Sequence, residues 1–200
     1  MKKVLLSAVL IIVLSTLSHA QWVMQASGFP NESTGAFYIS VVNKDIVWIS
    51  ARDGLNAPYI SNEFSRTVDG GVTWVPGQVI PGVAKYDISN ISAVNADTAW
   101  ADIYRADSAQ DSHCGIYKTT DGGVTWFQQF SIQPGTGSFA NNVHFWNANE
   151  GMWHGDQKDG YFEIYTTSDG GTTWVRVPQS DINATVMQGE KGIIRAFNTT

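Results

Sequence analysis

The sequence predicts an all-β chain, an incomplete ring of four-stranded antiparallel sheets, and two observations predict it. One eight-residue phrase occurs three times: Thr67-Val68-Asp69-Gly70-Gly71-Val72-Thr73-Trp74, Thr119-Thr120-Asp121-Gly122-Gly123-Val124-Thr125-Trp126 and Thr167-Ser168-Asp169-Gly170-Gly171-Thr172-Thr173-Trp174. Its aspartates recur at intervals of 52 and 48 residues, a period that belongs to repeat architectures and, with strand-like flanks, to propeller blades. Between the phrases, short apolar runs are broken by Asn, Asp and Gly, and no segment shows helical periodicity. The expected architecture is a β-propeller arc of about three full blades, with an orphan N-terminal strand and a partial fourth blade.

The elements follow in chain order. Met1-Lys2-Lys3, an apolar run from Val4 to Leu17 and Ser18-His19-Ala20 make a cleavable secretory signal over 1–20. The run is shorter than the roughly 20 residues a spanning helix needs, so no membrane insertion is expected. Residue 21 is Gln and not Cys, which argues against a lipid anchor. Segment 21–28, opening on Gln21-Trp22, reads as a fourth strand without its first three. Blades are expected at about 36–80, 88–133 and 141–178. Each begins with a strand, an Asn/Asp turn (at Asn43, Asn95 and Asn147) and a second strand carrying Trp48, Trp100 or Trp153. A third strand runs into the aspartate phrase and a fourth leaves its Trp. Segment 184–197 reads as the opening of another blade, so the remainder of a longer propeller chain is expected.

Composition narrows the function classes. The chain has 12 Lys+Arg against 18 Asp+Glu and a formal charge of −6, and two of its lysines lie in the leader. With no basic cluster, nucleic acid is not an expected partner. Cys114 is the only cysteine, so stability must come from packing and not from an internal disulfide. The expected place is extracellular, periplasmic or on the cell surface.

The phrase makes physical sense as a turn. Its aspartate can accept from backbone N–H groups left unpaired by a tight turn. Paired glycines supply positive φ, and the Trp wedges between neighbouring sheets with its N–H on a carbonyl. Asp69, Gly71, Trp74, Asp121, Gly123, Trp126, Asp169, Gly171 and Trp174 are therefore read as scaffold, because identical residues recur at identical places in every unit.

The phrase resembles the Asp-box, the bacterial neuraminidase repeat, whose pattern Ser/Thr-x-Asp-x-Gly-x-Thr-Trp all three copies match. The wider unit is similar to propellers of the photosystem II stability and assembly factor type, which occur in secreted bacterial proteins. The resemblance implies that these turns lie on the face and rim away from the axial pocket. It also brings two alternatives, a sialidase-like or endoglucanase-like glycoside hydrolase fragment and an assembly factor for a membrane complex. Against the first, none of Arg52, Arg66, Arg105, Arg176 and Arg195 is followed by Ile-Pro, the segment expected of sialidases. Against the second, those arginines are dispersed along the chain.

A ligand site is expected on the opposite face, in the loops from second to third strands at 51–62, 102–114 and 154–161, since long loops on a rigid scaffold carry function. The candidate residues are Arg52, Asp53, Tyr59, Asp102, Tyr104, Arg105, His154, Asp156 and Tyr161. Asp53, Asp102 and Asp156 are the carboxylates a hydrolase would need. No catalytic set, cofactor or metal site is assigned: the His-Asp pairs supply two donors where metal ligation needs three or four. The expected function is a binding or interaction module for a protein or glycan ligand. Trp146, which lies outside the repeat, is the candidate stacking platform.

Overall fold

The computed structural model describes residues 23–55, 60–83, 85–106, 112–131 and 139–182. The expected leader and the expected partial blade at 184–197 lie outside them. The described residues form three sheets, each a four-stranded antiparallel meander in chain order. The first blade holds β1 (Thr34–Val41), β2 (Val47–Asp53), β3 (Glu63–Thr67) and β4 (Val75–Gln78). The second holds β5 (Tyr86–Ala93), β6 (Ala99–Arg105), β7 (Gly115–Thr119) and β8 (Phe127–Ser131). The third holds β9 (Ala140–Phe145), β10 (Gly151–Lys158), β11 (Tyr161–Thr167) and β12 (Val175–Arg176), and a 3-10 turn follows at Gln179–Asp181.

The blades succeed one another around an axis lined by their first strands. The Ala93 N–H donates to Ser40 Oγ at 2.9 Å, and one blade on the Phe145 N–H donates to Ser92 Oγ at 2.9 Å. The Val143 N–H adds a bond to Asn90 Oδ1 at 2.8 Å. Polar side chains of one inner strand thus satisfy backbone donors of the next, which an unpaired strand edge would otherwise leave open.

Each turn between first and second strands is closed by its asparagine. Asn43, Asn95 and Asn147 accept at Oδ1 from the N–H groups two and three residues on, at 2.7–2.9 Å. The aspartate phrases dock on these turns: Gly70, Gly122 and Gly170 N–H donate to the carbonyls of Asp45, Asp97 and Asn149. Both turn types therefore share one end of the arc, as the family resemblance implies.

The core lies between blades. Trp48 stacks on Phe64 at 5.5 Å, and both meet Trp126 of the second blade edge-on. At the next seam Trp100 lies flat on Phe145, with centroids 3.5 Å and planes 7° apart. Burying a side chain such as Phe145 contributes about 1.5–3 kcal/mol. Cationic stems close the rim of each seam: Arg66 donates to the Ala96 carbonyl, and Lys118 to that of Gly170 at 3.1 Å.

Four expectations are corrected. Trp153 does not occupy the position of Trp48 and Trp100. The ladders align Thr67 with Val47, Thr119 with Ala99 and Thr167 with Gly151, so Met152 is the equivalent residue and Trp153 stands one place further. One residue in a strand reverses the face. Trp153 accordingly points back at the second blade, where its indole donates to Asp102 Oδ2 at 2.7 Å. Second, 154–161 is no long loop: β10 and β11 run through it and close on Asp159-Gly160, at φ 58° and 87°, the positive pair a tight hairpin favours. Third, residues 23–28 form no strand. They lie on the first aspartate turn instead, where the Gln25 amide bonds the Gly70 carbonyl at 3.4 Å. Fourth, among the described residues only the Trp174 indole of these three finds the expected carbonyl, Gly171 O at 3.0 Å; those of Trp74 and Trp126 are buried with no acceptor there.

Candidate functional site

The aspartate turns are built alike in all three blades. In the first, Thr67 Oγ1 donates to Asp69 Oδ1 at 2.8 Å and accepts from the Gly71 N–H at 2.8 Å. The Thr73 N–H and hydroxyl then donate to the two Asp69 oxygens at 2.9 and 2.5 Å. Asp121 and Asp169 repeat the arrangement with Thr119 and Thr125, and with Thr167 and Thr173. The hydroxyl of the following threonine is the main cause that holds each carboxyl at about 2, below the usual 3.8. Each carboxylate accepts three hydrogen bonds from its own turn, and among the described residues no three His, Cys, Asp or Glu gather where a metal could be held. Gly71, Gly123 and Gly171 carry positive φ, and a Cβ at each would collide with Gln25, Phe64 and Gln129 respectively.

At the other end of the axis three blades contribute to one mouth. Asp87, at the start of β5, is fully buried. Its Oδ2 accepts the Tyr104 hydroxyl at 2.8 Å and lies 3.9 Å from Arg52 Nη2. Its Oδ1 accepts the N–H groups of Ile88 and Ser61 at 2.9 and 3.3 Å. Burial pushes the Asp87 carboxyl up, and the Tyr104 hydroxyl opposes it. Burial, then the Asp87 charge, pushes the Tyr104 phenol above its ordinary value. The Arg52 guanidinium lies over the Phe37 ring at 4.1 Å, and Tyr104 packs on Phe139 at 4.8 Å. Phe37 and Tyr38 are 42% and 38% exposed beside them. The mouth therefore combines a buried anion, a cation and several aromatic faces, a composition suited to recognition.

The expected site residues divide. Arg52 and Tyr104 meet through Asp87. Asp53 caps the backbone N–H of Leu55 at 3.0 Å and lines two shallow hollows beside the mouth, of about 490 and 270 Å³. Arg105 pairs with Tyr86 at the end of β6, and Tyr59 lies outside the described residues. Asp102 is in the seam against Trp153, with no hydrogen-bond partner for Oδ1 among the described residues, and burial raises its carboxyl well above the ordinary value. His154 is buried beside Phe162, and burial lowers its imidazole against the opposing pull of Asp156. Asp156 accepts the Asn141 amide at 2.6 Å, and its N–H bonds the Phe139 carbonyl at 3.3 Å, so it supports the mouth from behind. Tyr161 is drawn into the β10–β11 hairpin under Arg176, itself paired with Asp159 at 2.8 Å.

Asp87, Phe37, Tyr38 and Phe139 escaped sequence reasoning. The available signal was an acid between apolar neighbours in Tyr86-Asp87-Ile88, a charge in a strand that has to be buried.

No family model matches the chain, and no curated protein matches it. Among solved structures it is similar to one titled "YCF48 bound to D1 peptide", with 18% identity and a TM-score of 0.47. The match covers 74% of this chain and 45% of that one, so this chain spans less than half of that structure's length.

Proposed function

We propose that this chain is a non-catalytic interaction module of an exported protein, and that it holds a protein partner at the mouth formed by Arg52, Asp87 and Tyr104. The aspartate turns, read as Asp-boxes, are its scaffold. The observation that carries the reading is the Asp87 cluster, where three elements from two blades are fixed around a buried carboxylate beneath exposed Phe37 and Tyr38. Aromatic and arginine side chains on a rigid base are the usual anchors of a protein interface. A glycosidase instead needs two carboxylates facing an open cleft about 5–9.5 Å apart. Asp102 faces Trp153 inside a seam and Asp156 faces Asn141, which favours recognition over acid–base chemistry. Selection of a displayed peptide library on the exported chain tests this. Selected peptides should bind at least tenfold more weakly to Arg52→Ala and to Tyr38→Ala. Selection of no peptide, or binding indifferent to both substitutions, would sink the reading.

A further inference from the structure

We propose that a second site, at the opposite end of the axis, binds a neutral oligosaccharide against Trp146. A groove of about 960 Å³ runs there along β1, β5 and β9 and onto the turns that follow them. That is near the upper end of the roughly 300–1,000 Å³ range of small-ligand sites, room for more than one sugar ring.

The chemistry of the lining selects the ligand. Among the described residues, no Asp, Glu, Lys or Arg lines the groove. His144 is the one titratable group among its described lining residues, and burial lowers its imidazole towards the neutral form. A charged ligand would find no counter-charge and would lose hydration on entry. Asn90, Asn142 and Ser92 supply amides and hydroxyls, which both donate and accept and so match sugar hydroxyls. Two of these are already oriented, because Asn90 Oδ1 and Ser92 Oγ accept the N–H groups of Val143 and Phe145. The amide of Asn90 keeps two donors and the hydroxyl of Ser92 one.

Trp146 supplies the platform. It is 38% exposed on the groove wall, and His144 meets it edge-on at 5.2 Å. Its backbone N–H is tied to the Glu150 carbonyl at 3.0 Å, which fixes the turn beneath it. Indole is amphipathic, with an apolar face that suits the C–H face of a sugar and an N–H that suits a hydroxyl. An extended peptide is the competing occupant. It would add as a strand to backbone donors or seat side chains in apolar pockets. The donors at Ala93, Val143 and Phe145 are already used across the blades, which favours the sugar.

The test is an array of neutral and acidic glycans probed with the full exported chain, with Trp146→Ala and Trp146→Phe alongside. Neutral glycans should be retained, at least tenfold more weakly by Trp146→Ala and less weakly by Trp146→Phe, while both variants keep the wild-type unfolding midpoint. Titration with the best glycan should shift the NMR signal of the Trp146 indole N–H. Retention of no neutral glycan, or retention indifferent to Trp146→Ala, overturns the proposal. So does a peptide that displaces the glycan and itself depends on Trp146. The outcome is independent of the Arg52 mouth, whose binding is read on the other end with other substitutions.

Discussion

The indole of Trp153 donates to the carboxylate of Asp102 at 2.7 Å across the seam between the second and third blades, and both side chains are buried. Removing the donor strands a buried carboxylate. Trp153→Phe is expected to destabilise the fold by about 1–3 kcal/mol, the cost of an unsatisfied buried polar group. Urea unfolding of the two proteins measures it.

Asp102→Asn should behave oppositely as pH rises. Burial raises the folded-state value of this carboxyl well above 3.8, so its contribution is present at low pH and lost as pH rises through the folded value. Asparagine keeps an acceptor for the indole and carries no charge. Its urea midpoint, relative to wild type, should increase between pH 5 and pH 8. A constant difference across that interval would refute the argument.

The aspartate turns titrate the other way. Asp69, Asp121 and Asp169 are held at about 2 in the fold, below 3.8. Their contribution is complete above about pH 4 and lost as pH falls towards 2. Thermal midpoints should drop steeply across that window. Asp121→Asn should lower the midpoint at pH 7 and flatten the drop.

Two glycines separate backbone strain from crowding. Gly82 has φ +74° and open space where a Cβ would go, whereas Gly123 has φ +86° and the Phe64 ring in that place. Gly82→Ala should cost roughly 1–2 kcal/mol for the left-handed conformation alone. Gly123→Ala should cost more, since Phe64 must also leave its contact with Trp126. Denaturant unfolding of both variants gives the ranking.

Cys114 is fully buried. A thiol reagent should label it only as the chain unfolds, with a urea dependence that follows the loss of far-UV signal. Rapid labelling of the native protein would contradict the burial of its thiol.

The aspartate phrase and its strand flanks were legible because every copy solves the same local problem with the same residues. Even the altered phase of Trp153 was present in the spacing: Trp48 and Trp100 follow their turn asparagine by five residues, and Trp153 follows Asn147 by six. The Asp159-Gly160 hairpin was likewise written in a familiar pair. The mouth was not legible. Asp87 and Tyr104 face each other across the β5–β6 ladder, but Arg52 reaches them only when separate blades are brought round an axis, and no local pattern states which residue of one blade faces which of the next. Asp102 shows the converse: its place at a strand end suggested an open carboxylate, but the neighbouring blade covers it.

That the first seam is held by Trp48 with Trp126, and the second by Trp100 with Phe145 and Trp153 with Asp102, makes the blades poor interchangeable parts. Each inter-blade face fits the face it meets and not the other. Shuffling their order would put an indole opposite a hole, or a carboxylate opposite nothing.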